Sequence, residues 1–412
     1  MSGTGEPQIS DVLIAGGGQV GLALALALRR FAPRLSVTLV DAAAAKDAER
    51  AGRASTIAAG GQRMLAALGV WDEVAAAAEP VTEMIVTDSR TRDVVRPVYI
   101  TIATAKGTGD ASAYVVPDGA VVRVLRRAAE EAGARIVAPA AVTDFIVGDG
   151  RVTAKLKDGT ALAARLLVAA DGGRSRLREL AGIGTVGHGY GQSGIVVTVA
   201  HAKPHGGRAE EHFLPGGPFA ILPLKGNRSS LVWTEPTDRA ERLVAGDGLT
   251  FAVELERRFG HRLGAMETID TPRAFPLSLS IARQFVAPRF ALTGDAAHSI
   301  HPIAGQGLNL GYRDVAALAE TIVEAHRLGL DIGSLTVLER YQRWRRFDTA
   351  EMALVTDTLN ALFSNDNPGL RIARDVGLGV VDRLGELKRL FVSEASGSGA
   401  GEVPRLMLGE AI

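Results

Sequence analysis

The sequence predicts an α/β protein: a doubly wound parallel sheet, interrupted by a second sheet of mixed or antiparallel strands, and closed by a helical C-terminal tail. Three observations lead to this class. A strand, a glycine turn, a helix and a second strand follow one another over residues 11–41, which is how a doubly wound sheet begins. Short apolar runs separated by turn residues occupy the middle of the chain, and a helical pattern begins at Asn309.

The elements of the parallel sheet follow from periodicity and turn residues. Helices are predicted over residues 21–30, 58–68 and 120–133. Strands are predicted over residues 11–15, 37–41 and 290–293. Residues 142–147, 151–157 and 166–169 are separated by Gly-Asp-Gly and Asp-Gly turns, and this pattern predicts a hairpin that returns to a buried strand.

The second sheet is predicted from runs rich in β-branched residues. Its strands lie within residues 82–104 and over 195–200, 220–224 and 229–234. This order divides a nucleotide-binding domain into residues 1–80, 108–182 and 285–350. The substrate domain takes residues 81–107 and 183–284, and a helical region takes 351–412.

Charge and cysteine content exclude several classes of function. Lys and Arg together number 46, as do Asp and Glu, so no positive excess is available to neutralise nucleic-acid phosphates. The chain has no cysteine, which removes disulfides, thiolate nucleophiles and iron–sulfur clusters and fits a reducing cytoplasm. The uncharged run over 12–28 is shorter than the about 20 residues of a spanning helix. We therefore expect a cytoplasmic protein.

The glycine turn is the first motif that carries chemistry. In Gly16-Gly17-Gly18-Gln19-Val20-Gly21, glycine permits a tight turn, close approach of the backbone to a pyrophosphate, and close packing of helix on strand. Asp41 ends the second strand and can accept hydrogen bonds from an adenosine ribose. Together these features predict a dinucleotide site, and they do not distinguish NAD from FAD.

A second run, over residues 182–187, also spells GxGxxG. It follows a predicted helix, and no helix follows it, so the strand–turn–helix context of a dinucleotide site is missing. We interpret this run as a flexible crossover between domains.

Two acidic residues follow later strands, where open α/β sheets bind ligands. Asp171 precedes Gly172-Gly173, and Asp295 follows Gly294 directly after the strand predicted over 290–293. The Gly305–Gly307 turn then opens a helix whose amide hydrogens can face an anion. His298 and His301 have no third ligand nearby, so no metal site is predicted.

In this order the three motifs resemble the class A FAD-dependent aromatic monooxygenases, and the resemblance covers nearly the whole chain. Residues 217–224, 298–302, 304–314 and 404–407 are most similar to the ubiquinone-biosynthesis hydroxylases, of the 2-polyprenyl-6-methoxyphenol hydroxylase type. The implied fold is an FAD-binding Rossmann-like domain of the p-hydroxybenzoate hydroxylase type. One departure is Pro117-Asp118, where relatives often carry Glu-Asn, which leaves the local contacts open.

The resemblance also implies the roles of residues at matching positions. Gly16, Gly18 and Gly21 would hold the FAD pyrophosphate, Asp41 the ribose, and Asp171 and Asp295 phosphate or ribitol groups. Arg53 and Arg123 would contact FAD, although either could be a surface arginine. The predicted catalytic positions are Pro302, beside the reactive edge of the flavin, and Gly305 and Gly307, which with Leu308 and Asn309 would supply amides to its pyrimidine end.

The activity implied is hydroxylation of a polyprenyl phenol, in which NAD(P)H reduces FAD and a flavin C4a-hydroperoxide formed from O2 delivers oxygen to the ring. The substrate cleft should be apolar, and we name five candidate lining residues that could equally be core: Phe213, Pro215, Phe219, Leu222 and Phe275. No general base stands out in the sequence.

Several alternatives stay open at this point. A flavin dehydrogenase would need a second dinucleotide fingerprint or a Cys-x-x-Cys pair, and neither is present. A non-catalytic FAD-binding subunit and a hydroxylase of another aromatic compound are both compatible with the motifs. Contact with the inner membrane surface could run through an apolar stripe over residues 373–391. The same stripe could instead pack on the FAD domain, or other ubiquinone-biosynthesis proteins could present the lipid.

Overall fold

The structure, a computed structural model, describes residues 9–44, 52–88, 98–103, 111, 113–364 and 403–412. The predicted apolar stripe over 373–391 lies outside these residues. Among the helices that are described, none is long and apolar enough to cross a membrane.

The first part of the chain starts one sheet and then leaves it for two others. Its elements are β1 (Ser10–Ala15), α1 (Gln19–Phe31), β2 (Val37–Val40), β3 (Ala54–Ala58), α2 (Ala59–Ala67), α3 (Trp71–Ala75), β4 (Glu79–Val81), β5 (Glu83–Asp88), β6 (Val98–Ala103), β7 (Ala113–Pro117) and α4 (Asp118–Glu131). Strands β1 and β2 pair in parallel, and α1 is the crossover that a parallel pair needs. Strands β3, β7 and β4 form a small antiparallel sheet.

The middle of the chain returns to the first sheet and then builds the second. Its elements are β8 (Arg135–Val137), β9 (Val142–Gly148), β10 (Arg151–Leu156), β11 (Ala161–Ala169), α5 (Arg176–Leu180), β12 (Thr185–His201), β13 (Arg208–Leu214), β14 (Gly217–Leu224), β15 (Arg228–Pro236), α6 (Thr237–Ala245), α7 (Gly248–Phe259), β16 (Met266–Thr268) and β17 (Arg273–Ala282). The predicted hairpin over 142–157 is present as β9 and β10.

The last part completes the first sheet and adds long helices. Its elements are β18 (Val286–Ala287), β19 (Phe290–Leu292), β20 (His298–Ser299), α8 (Gln306–Arg327), α9 (Leu335–Phe363) and α10 (Arg405–Leu408). Short 3-10 turns at Gly294–Ala296 and Ile303–Gly305 flank β20.

The first sheet has the strand order β18-β19-β11-β1-β2-β8, with the β9–β10 hairpin attached to β11. Strands β19, β11, β1, β2 and β8 run parallel. Helix α1 packs between this sheet and the other helices, so Leu22, Leu24, Leu26 and Leu28 are at most 1% exposed. Each contributes about 1.5–3 kcal/mol through burial, which fixes α1 against the sheet.

The second sheet has the order β20-β17-β12-β15-β14-β13-β5-β6 and is antiparallel except for the β13–β5 pair. One face carries Phe219 and Trp233, which pack with Phe251 and Leu255 of α7. The other face is turned toward the first sheet. The predicted fold class, a parallel FAD-type domain with a mixed sheet and a helical C-terminal region, is thereby confirmed; the exact domain boundaries stay predictions.

The run over 182–187 differs from its prediction. Instead of a flexible crossover, its second half opens β12, where Thr185, Val186 and Gly187 pair with β17. Gly187 has φ 154° and would place a Cβ 1.9 Å from the Leu279 carbonyl oxygen, so the glycine serves close strand pairing. The chain leaves the first sheet at the end of β11, passes through α5 and a short turn, and enters the second sheet at β12.

A buried ionic network holds the loop after β19. The Asp314 carboxylate accepts hydrogen bonds from the Gly294 backbone N–H at 2.9 Å, His298 Nε2 at 2.6 Å and Arg345 Nε at 2.7 Å. Burial alone would raise the pKa of Asp314, but His298 and Arg345 outweigh it and hold the pKa below its ordinary value. The network therefore ties α8 and α9 to the turn that carries Asp295.

We expect Asp314→Asn to lower the free energy of unfolding by about 3 kcal/mol or more, because removal of one partner leaves buried charge uncompensated. The folded-state pKa is depressed, so this stabilisation is present above the ordinary value of 3.8 and is lost as pH falls through the folded-state pKa. Denaturant unfolding at pH 7 and in acid measures both effects. Asp238→Asn, which breaks an exposed ion pair with Arg242, is the control, and equal midpoints for the two variants would contradict the role of the network.

Candidate active site

A large cavity lies between the two sheets. Its volume is about 1470 Å³, above the roughly 300–1,000 Å³ of an ordinary small-molecule pocket. One wall comes from the glycine turn after β1, the β3 region and the start of α8, and the other from β12, β14, β15 and β17. The cavity is therefore large enough for a dinucleotide and a second molecule beside it.

Three glycines of the first turn, Gly16, Gly18 and Gly21, differ in what a side chain at each position would contact. Gly16 has φ 119°, and a Cβ there would lie 2.1 Å from the Ala170 carbonyl oxygen. A Cβ on Gly21 would lie 2.0 Å from the Gly16 carbonyl oxygen, so Gly21 permits the close packing of helix on strand. Gly18 faces open space within the cavity, with nothing within 4 Å of a Cβ. Only Gly18 of the three leaves room for a ligand.

Two helices begin at this cavity without the residues that normally satisfy a helix start. Neither α1 nor α8 has a side-chain cap or an acidic residue in its first turn. Their first amide hydrogens are thus available to a ligand, and the helix dipoles favour negative charge there. The arrangement suits the pyrophosphate at α1 and an electron-rich ring edge at α8.

The start of α8 is shaped by a left-handed glycine and by Asn309. Gly305 has φ 65° and lies against Thr56, while Gly307 and Leu308 line the cavity. The Asn309 side chain donates to the Thr56 and Gly305 carbonyl oxygens and accepts from the Ala58 N–H. Asn309 therefore lines the cavity while its amide group fixes the turn to β3.

Pro302, which also lines the cavity, follows a buried histidine. The ring of His301 meets Tyr190 edge-on at 5.0 Å between centroids. Burial lowers the pKa of His301 to about 4, so the ring is neutral at pH 7. His301 therefore places no positive charge beside Pro302.

Arg53 is held by Asp118, a residue whose role the sequence left open. Arg53 Nε donates to Asp118 at 2.8 Å, and Ser55 Oγ and Gln19 Nε2 donate to the same carboxylate at 2.6 and 3.0 Å. Attraction to Asp118, with a smaller part from Asp295, raises the pKa of Arg53. The Arg53 side chain stays 62% exposed because it projects into the cavity. In the sequence, the one feature that could have drawn attention to Asp118 is its position as an acidic residue at the start of a helix.

The other acidic candidates differ in their placement. Asp41 lines the cavity and forms an ion pair with buried Arg126 at 3.0 Å, a partner that sequence reasoning missed. Asp295 lines the cavity from its 3-10 turn and is exposed to it. Asp171 does not line it, and its carboxylate accepts from the Leu177 N–H at 3.3 Å at the start of α5.

Of the remaining predicted residues, the structure brings only some to the cavity. Leu222 and Phe275 line it. Phe219 is fully buried on the opposite face of the sheet, and Phe213 packs with Ile303 and Phe363. Neither these two nor Pro215 is among the lining residues, and Arg123 is exposed on α4 outside the lining. The apolar lining that sequence reasoning missed includes Met84, Ala220, Val232 and Leu277.

The shape of the Gly18 site makes a direct test of the cofactor position possible. Gly18 has φ −73° and ψ 179°, a conformation that valine adopts easily, so Gly18→Val should fold and place its methyl groups where a pyrophosphate would lie. We expect the purified variant to lose most of its flavin absorbance while its melting transition stays cooperative. The matched control is Gly248→Val, at an exposed helix start with equal open space. Full FAD occupancy in Gly18→Val would show that the phosphates lie elsewhere.

Comparisons with known proteins agree with this geometry. Residues 10–352 match the family described as FAD binding domain. Ubiquinone hydroxylase UbiL of Rhodospirillum rubrum is 44% identical over 408 residues, 98% of this chain and 93% of that protein. The 3-demethoxyubiquinol 3-hydroxylase of Escherichia coli is 35% identical over 396 residues, 95% of this chain and 99% of that protein.

A solved structure shares the fold. The p-nitrophenol 4-monooxygenase PnpA from Pseudomonas putida superposes with a TM-score of 0.78 at 21% identity, over 96% of this chain and 99% of that one. The glycine cradle, the two uncapped helix starts and the size of the cavity fit FAD as the resident cofactor. The chain therefore belongs to the FAD-binding-domain family, and within it to the FAD-dependent aromatic monooxygenases that include the ubiquinone-biosynthesis hydroxylases.

Proposed function

We propose that this protein hydroxylates the aromatic ring of a polyprenyl phenol on the route to ubiquinone, with NAD(P)H and O2 as co-substrates. One observation carries the proposal: a polar dinucleotide wall and an apolar wall face each other across the same cavity. The names of the relatives, which act on ubiquinone or demethoxyubiquinol, support the substrate class.

The polar wall supplies the groups that would hold FAD. Amides at the start of α1, next to Gly18, would bind the pyrophosphate, and Asp41 would bind the adenosine ribose. Arg53, fixed by Asp118, and Asp295 lie on the same wall and would contact the cofactor between its two ends. The start of α8 would meet the pyrimidine edge of the flavin, where its dipole favours negative charge.

The chemistry that FAD supplies when bound is reduction by NAD(P)H and activation of O2 for transfer to an aromatic ring. The protein orients the ring and excludes water. Pro218, Ala220, Leu222, Val232 and Leu277 form an apolar surface opposite the cofactor wall. This surface can bury a prenylated ring and keep water from the reacting oxygen.

The direct test is turnover under isotopically labelled oxygen. With 2-geranylphenol, NAD(P)H and labelled O2, we expect a hydroxylated product that carries one labelled oxygen by mass spectrometry, and none when only the water is labelled. NAD(P)H oxidation should accelerate when the phenol is added. A protein that binds FAD and forms no product from any prenylated phenol would instead be a non-catalytic subunit.

We also propose that the protein works at the surface of the membrane that holds its lipid substrate. The apolar stripe over residues 373–391, with arginines and lysines among its residues, is the candidate contact. The alternatives are that the stripe packs on the FAD domain and that a partner protein presents the lipid. Charge attraction to anionic lipids weakens as the salt concentration rises. Membrane binding through this stripe should therefore also weaken at high salt.

We expect the holoenzyme to float with anionic liposomes at low salt and less with zwitterionic ones. Replacing both Leu387 and Phe391 with Asp should abolish flotation without loss of FAD. Leu249→Asp, at a position that is 76% exposed in α7, is the control for a general effect of added charge. Loss of FAD in the double variant would mean that the stripe is core, and wild-type protein that stays unbound would contradict the proposal.

A further inference from the structure

Glu211 is a carboxyl group embedded in the apolar wall of the cavity. It lies in β13, opposite Val86 of β5 and Ala220 of β14. The residue is only 5% exposed, yet it lines the cavity. Burial of a carboxyl group in such surroundings is costly, so a position of this kind calls for a functional reason.

The neighbours of Glu211 on its own face are apolar. Residues two apart in a strand share a face, which places Ala209 beside Glu211, and the register places Ala220 and then Val232 across the sheet. Met84 of β5, opposite Ala209, lines the same cavity. Because no charge compensates it among the described residues, burial raises the pKa of Glu211 to about 8.

The adjacent acid in the same strand shows the contrast. Glu210 is paired with Arg208, Arg262 and His212, and although its own burial opposes ionisation, these partners lower its pKa to about 2. The other charged residues that line the cavity are Asp41, Arg53, Arg63, Asp118, Arg174 and Asp295. None of them contributes to the pKa shift of Glu211. Glu211 can thus change its protonation near neutral pH while Glu210 stays ionised.

The position of Glu211 relative to the reacting edge follows from Phe213. Phe213 is two residues further along β13, about 7 Å away on the same face, and packs with Ile303, the neighbour of Pro302. Glu211 therefore lies on the substrate wall of the cavity that Pro302 also lines, with Phe213 between it and the segment that would flank the flavin. A phenol bound against Ala220 and Val232 would have its hydroxyl within reach of this carboxyl group.

We propose that Glu211 is the catalytic base that takes the proton of the substrate's phenolic hydroxyl. This inference rests on the proposed function. The O–H bond of the phenol breaks, the proton passes to a carboxylate oxygen of Glu211, and the electron pair stays on the phenolic oxygen. That pair increases the electron density at the ortho and para carbons, where oxygen adds. After oxygen has added, the C–H bond at that ring carbon breaks and its proton leaves to solvent. The electron pair of this bond restores the aromatic ring, and the carboxyl group of Glu211 returns its proton to the phenolic oxygen.

The test compares Glu211→Gln with wild type through the pH profile of kcat/KM for hydroxylation of 2-geranylphenol. Below its pKa of about 8 Glu211 is protonated and cannot accept a proton, so the wild-type value should rise through this pH. Glu211→Gln should lack this rise and be about 100-fold slower at pH 8, as expected for loss of a general base. The deficit should shrink as pH approaches about 10, where a phenol ionises by itself. Glu211→Asp, which keeps a carboxylate, should recover part of the rate.

Two controls separate this role from a structural one. Glu267→Gln, an exposed acid of β16 outside the cavity lining, should match wild type at every pH, and FAD content should be unchanged in all variants. A Glu211→Gln enzyme with the wild-type profile, or with a deficit that is the same at every pH, would overturn the proposal while the proposed function stands. Absence of hydroxylation by the wild type would overturn both.

Discussion

The close contact between β1, its glycine turn and α1 is the constraint on which the rest of the site depends. A Cβ on Gly21 would lie 2.0 Å from the Gly16 carbonyl oxygen, and a Cβ on Gly16 would lie 2.1 Å from the Ala170 carbonyl oxygen. Strands β1 and β11 and helix α1 therefore lie so close together that Gly16 and Gly21 cannot carry a side chain. This contact aims the start of α1 across the carboxyl ends of β1 and β11, and the same edge of the sheet receives the turn with Asp295 and the start of α8.

Buried polar groups then keep the two helix starts in place. Asp314 ties α8 and α9 to the Gly294 turn, and Asp118 joins Arg53 and Ser55 to Gln19 at the first turn of α1. Each carboxylate has several donors, so little of its charge is free to act on a ligand. The opposite wall is built from alternate residues of antiparallel strands, which is why it can be apolar while the other face of the same sheet packs on α6 and α7. Separation of polar and apolar walls is what a flavin hydroxylase needs.

Local signals predicted the parts of the site that are local. The glycine turn, Asp41, Asp295 and the Gly305–Gly307 turn can be read from the sequence because each follows a strand and precedes a helix within a few residues. The substrate wall depends on register across strands distant in sequence, so Phe219 and Leu222 were both named although positions three apart in a strand face opposite sides. The role of Asp118 depends on hydrogen-bond partners that are distant in the sequence. The proposed role of Glu211 depends on its uncharged surroundings among the described residues, which also come from distant strands. The GxGxxG run over 182–187 was misjudged because its second half is the start of a long strand, β12, whose partner β17 lies far away in the sequence.

The most direct test of the cofactor and substrate positions is a crystal structure of the FAD-loaded protein with 2-geranylphenol bound. We expect the pyrophosphate within hydrogen-bonding distance of the amides at the start of α1. We also expect the flavin beside Pro302, with its pyrimidine edge at Gly307 and Leu308, and the phenol ring on the wall formed by Ala220 and Val232. Density for the pyrophosphate away from Gly18, or for the phenol outside the cavity between the two sheets, would contradict these positions.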